Sequence, residues 1–63
     1  MKVNFWRNGI NSQGQPYKVS ILTVEMPSGM SDQAALAGAI DILQKELKVV
    51  RWESMAEDYT ITQ

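Results

Sequence analysis

The chain has 63 residues, 44% of them hydrophobic, with six basic and seven acidic side chains and neither cysteine nor histidine. That length allows a single domain, because a chain of about 60 residues buries only ~60% of its unfolded surface and cannot divide its core. Without Cys there is no disulfide framework, and without Cys or His the usual ligands of structural zinc are missing.

No metal and no cofactor is therefore expected, and a partner protein or a second copy is the remaining common reinforcement for so small a core. The net charge is −1 and the pI about 5.1, with basic residues scattered from Lys2 to Arg51. A protein that grips duplex phosphates over several contacts normally carries a basic surplus, so nucleic-acid binding is demoted. The residues after Met1 lack the apolar run of a signal peptide, and no stretch approaches the ~20 apolar residues of a membrane span. A cytoplasmic protein is the expectation.

Residues 2 to 7 alternate, with Val3 and Phe5 on one face and Lys2, Asn4 and Trp6 on the other, which predicts a first strand. Residues 8 to 15 hold two glycines and four amides and read as a loop. An Asn8-Gly9 hairpin turn ranks below this longer loop, because Asn11 to Gln15 is a poor strand continuation. Residues 17 to 26 are β-branched and apolar and predict the strongest strand. Tyr17, Val19 and Ile21 share one face by strict alternation, and Leu22, Val24 and Met26 share the other. A strand apolar on both sides is read as covered on both.

Pro27-Ser28-Gly29 ends that strand, and Ser31 followed by Asp32 predicts a helix N-terminus. Leu36, Ile40, Leu43 and Leu47 recur at helical spacing, with Ala39 beside them and Ala35 and Ile42 widening the apolar face, so a helix is expected over about 32–47. Asp41 and Lys45 stand one turn apart on its opposite side. Gly38 inside it is either a site of close approach to the sheet or a tolerated neutral glycine.

Val49 to Glu53 reads as a third strand with Val50 and Trp52 on one face. Tyr59 to Thr62 reads either as its extension or as a short fourth strand. The whole predicts an α+β domain over residues 1–63, ordered β-β-α-β(-β). Its antiparallel sheet has three strands, or four if 59–62 pairs separately, with one helix on one face and strand order 2-1-3 if the third strand lies beside the first.

The chemical inventory is thin. The common general base, thiol nucleophile and metal ligands are absent as residue types. Glu57-Asp58, the one adjacent carboxylate pair, would diverge on a strand and reads as a solvated acidic bend. Pro27 to Ser31 precedes a helix but lacks the lysine and glycine spacing of a phosphate loop. The expectation is therefore a non-catalytic protein–protein interaction or regulatory module, of the size of a bacterial or phage accessory protein, with no catalytic, cofactor or metal residues. Trp6, Leu22, Val24 and Trp52 are its candidate partner-binding residues, on a sheet face the helix leaves uncovered. That face would bind a larger partner or a second copy as a homodimer. Trp52 has the alternative of belonging to the core. The rival reading is a single-stranded nucleic-acid binder stacking bases on the same aromatic face.

Overall fold

Two hydrophobic surfaces meet along Val3 and Phe5, which have no solvent exposure, and everything else is arranged around that seam. The computed structural model describes residues 1–63: strand β1 (Lys2–Ile10), strand β2 (Pro16–Glu25), helix α1 (Asp32–Leu47), a short 3-10 turn (Trp52–Ser54) and strand β3 (Asp58–Thr62). The strands form one antiparallel sheet in the order β2-β1-β3, and the helix packs on one face. The expected α+β class, element order and sheet order are those of the structure. No helix is long and apolar enough to cross a membrane.

The first hairpin is longer than the sequence pattern predicts. β1 continues through Asn8 and Gly9, which pair with Lys18 and Tyr17, so the turn is Asn11 to Gln15. Asn11 closes it with its side chain, whose Oδ1 accepts from the N–H groups of Gln13 and Gln15, both at 2.9 Å. This is the local bonding that makes asparagine a turn residue. Gly14 takes the left-handed backbone (φ 79°) that lets the chain reverse.

β2 contains an irregularity. Phe5 pairs with Leu22, but the next residue, Trp6, pairs with Ser20, so Ile21 is one residue more than β1 can match. Such a bulge shifts the side-chain alternation of its strand. Beyond it Tyr17 and Val19 oppose Gly9 and Arg7, and before it Leu22 and Val24 oppose Phe5 and Val3. All four therefore lie on the helix side, and Ile21 also packs against the core.

The helix spans the expected residues. The Ser31 Oγ accepts from the Ala34 N–H at 3.2 Å, Asp32 lies in the first turn, and Asp41 and Lys45 form an exposed pair at 3.0 Å. Its buried line is Ala35, Ala39 and Leu43, with Leu36, Ile40 and Leu47 half-buried beside it. Small alanines at the centre let the helix sit close to the sheet. At Gly38 a Cβ would stand 2.8 Å from the Met26 methyl, so the close neighbour is the mobile end of a side chain and not the sheet backbone.

The expected third strand at 49–53 is not formed. Lys48 ends the helix in the left-handed conformation (φ 55°, ψ 44°), and Val49 donates back to the Gln44 carbonyl at 3.0 Å. The Trp52 N–H is taken by the Gln44 Oε1 at 3.1 Å, and Met55 and Ala56 both donate to the Trp52 carbonyl at 3.0 Å. The segment thus satisfies its backbone locally instead of in a ladder, and Val50 stays 92% exposed. The third strand is Asp58–Thr62, which pairs with Lys2–Trp6.

Lys48 is an L-residue in a region that costs about 1–2 kcal/mol. Glycine would relieve that, offset by about 0.4–1 kcal/mol of added unfolded-state freedom and the loss of a cation at the helix C-terminus. Lys48→Gly is expected to stabilise by about 0.5 kcal/mol and Lys48→Val to destabilise, read as opposite shifts of the urea midpoint at constant slope.

Candidate functional site: the open sheet face

On the side away from the helix the sheet presents Lys2, Asn4, Trp6 and Asn8 from β1, Lys18, Ser20, Thr23 and Glu25 from β2, and Asp58, Thr60 and Thr62 from β3, by their register. Ile10, 76% exposed, ends the same face at the hairpin, and among the polar groups between it and Lys2 stands one aromatic ring. Trp6 is half-buried there, and its indole Nε1–H donates to the Thr60 Oγ1 at 3.1 Å. The Lys18 ammonium lies 4.4 Å from its ring centroid, within cation–π range. A hydrogen bond donated to β3 and a cation from β2 thus hold the indole across all three strands.

Around it the polar side chains bond to one another. Asn4 Nδ2 donates to the Ser20 Oγ at 2.7 Å and the Thr23 Oγ1 at 2.6 Å. Ser20 and Thr23 flank the bulge. Because Ile21 and Leu22 both turn towards the helix, one amide reaches both hydroxyls. Just before β3 begins, Glu57 takes over the edge of β1. Its N–H donates to the Trp6 carbonyl at 3.0 Å, and its Oε2 accepts from the Asn8 N–H (3.2 Å) and Nδ2 (2.7 Å). The expected acidic bend is therefore a strand-edge cap, and Asp58 starts β3.

The four candidate binding residues do not share this face. Val24 is 6% exposed in the core, and Leu22 is half-buried against it. Both oppose inward residues of β1 because the bulge changes the phase of β2, which simple alternation from Tyr17 could not anticipate. Trp52 is on the helix side as well. Its ring centroid lies 5.6 Å from that of Phe5, tilted to it, and 6.3 Å from that of Tyr59, edge-on, so it closes one end of the core. Trp6 alone of the four stands on the open face, and Trp52 takes its alternative place against the core. Lys18 is one of the basic residues expected to border an aromatic face, whereas sequence reasoning gave Asn4 and Thr60 no role; the polar run at 18, 20, 23 and 25 marks the face on β2.

Away from this face, Glu53 is the titratable group whose environment clearly alters it. Its backbone N–H and then the Arg51 guanidinium, 3.1 Å from its Oε2, hold its carboxyl below the usual range. No family model matches this chain, and neither a curated protein nor a solved structure matches it.

The two indoles should behave oppositely on truncation. Trp52→Ala is expected to cost about 2–3 kcal/mol, because it opens the core beside Phe5, whereas Trp6→Ala should cost less than about 1 kcal/mol by urea unfolding. An NMR pH titration should place the Glu53 midpoint below the usual glutamate range, and Arg51→Ala should raise it only part of the way, since the backbone bond remains. With its folded pKa lowered, Glu53 favours the fold above its unfolded pKa, and that contribution disappears as the pH falls through the folded one.

Proposed function

We propose that this protein is a non-catalytic interaction module that docks on a larger protein through the open sheet face, with Trp6 as the central contact. The observation that supports this most is the single indole fixed by Thr60 and Lys18 amid hydroxyl and amide groups. Tryptophan is the residue type most enriched among energetic centres of protein interfaces, which are typically surrounded by polar contacts that exclude water. An indole already held in place loses little conformational freedom on binding. The polar surround favours a reversible heterotypic contact over a permanent homodimer, whose buried core is more apolar.

A second reading has its own support. A tryptophan on an open sheet beside a lysine is also a platform on which an unpaired base stacks. The net charge of −1 weighs against it.

The test is capture from the native host by the tagged chain, with Trp6→Ala, Thr60→Val and the remote control Met55→Ala in parallel. The reading predicts a stoichiometric protein that survives Met55→Ala and is reduced about tenfold or more by Trp6→Ala, the usual scale for an interface centre. Capture indifferent to Trp6 contradicts it. Quenching of Trp6 fluorescence by single-stranded oligonucleotides at low salt, relieved at high salt, would replace it with the nucleic-acid reading.

A further inference from the structure

We propose that the free edge of β2 pairs with β2 of a second copy of this chain, antiparallel and in a single register, to make one continuous six-stranded sheet. This rests on strand geometry and shares only Lys18 with the docking site around Trp6.

β2 is the longest strand and lies at the edge of the sheet. The Met26 N–H donates to the Met1 carbonyl, and the Glu57 N–H to the Trp6 carbonyl. Odd-numbered residues of β1 therefore direct their backbone groups to β2 and even-numbered ones to β3. By register, Leu22, Val24, Val19 and Tyr17 use theirs on β1, whereas Lys18, Ser20, Thr23 and Glu25 direct theirs to the empty side. Those four also carry their side chains on the open face.

The bulge decides the register. Each half of β2 has its own phase, so all four outward-directed residues of two copies pair with one another only when the half before the bulge meets the half after it. Centred on Ile21 and Leu22, this sets Lys18 opposite the second copy's Glu25 and Ser20 opposite its Thr23, each twice by symmetry. On the helix side Val19 meets the second copy's Val24, and Tyr17, which is 49% exposed, meets its Met26. Opposite charges thus meet opposite charges, and apolar groups meet apolar groups. Neither Lys18 nor Glu25 has an ion pair within its own chain, where the pairs are Asp41–Lys45 and Arg51–Glu53. A lysine and a bulge on an edge strand ordinarily discourage indiscriminate pairing. Here one arrangement uses all four outward-directed residues, and it is self-complementary about a two-fold axis.

Sedimentation of the full chain from micromolar to millimolar concentration should show a mass rising from 7.1 kDa towards twice that value. Lys18→Glu and Glu25→Lys each place like charges opposite one another at two symmetric contacts and should each weaken the dimer by about tenfold or more. The double variant Lys18→Glu/Glu25→Lys restores opposite charges and should recover most of the affinity. Trp6→Ala releases the Lys18 ammonium from the indole and should not weaken the dimer. Independently of any variant, hydrogen exchange on the wild-type chain should slow at the Lys18, Ser20, Thr23 and Glu25 amides as concentration rises. A chain that stays monomeric throughout overturns the proposal. So does a dimer that ignores the single reversals, is not recovered by the double variant, is lost with Trp6→Ala, or leaves those four amides unprotected.

Discussion

One unmatched residue organises this sheet. Ile21 has no partner on β1, so Ser20 and Thr23 become neighbours on the open face while Ile21 and Leu22 turn together towards the helix. The Asn4 amide bonds both hydroxyls and holds the irregularity shut from the polar side. Through that one change of phase, every large apolar side chain of β2 reaches the helix side. The part of the open face that β2 supplies is left to polar and charged groups around a single indole. A strand of strict alternation would instead have put half of its apolar residues into water.

The core this creates is small, and its aromatic residues extend it. Phe5 is fully buried, and Trp52 and Tyr59 pack on it in sequence from the 3-10 turn and from β3. Edge-to-face and tilted contacts of this kind add about 0.5–1.5 kcal/mol each beyond the area they bury. In a domain that buries little more than half its unfolded surface, such increments are a sizeable share of net stability. They also explain why the segment after the helix is a turn: a strand at 49–53 would forfeit the Gln44 bond to the Trp52 N–H and the placement of its ring on Phe5.

Much of the fold was legible because local chemistry and tertiary demand agreed. Ser31 and Asp32 mark the start of α1, and the Leu36 to Leu47 spacing marks its length. The Val3/Phe5 alternation against Lys2, Asn4 and Trp6 assigns the two faces of β1 correctly. The site was less legible, because β2 carries its information in a phase change. Tyr17, Val19, Ile21 and then Leu22, Val24, Met26 look like two apolar faces under a fixed period of two. They are one face read across a bulge, and the polar series 18, 20, 23, 25 records the same slip. Val49-Val50 misleads for a different reason: β-propensity measures fit to a half-buried surface, and no strand is there to receive them.

The arrangement of β2 against β1 is most directly tested by short cross-strand NOEs between Hα protons, which identify the closely spaced pairs of an antiparallel ladder. The structure requires such NOEs for Asn4 with Thr23 and for Trp6 with Ser20, a change of register within two residues. An Hα–Hα NOE between Trp6 and Ile21, continuing the register of Asn4 with Thr23 without a break, would contradict it. In that case Trp6 would no longer stand in a polar face, and the docking surface built around it would be lost.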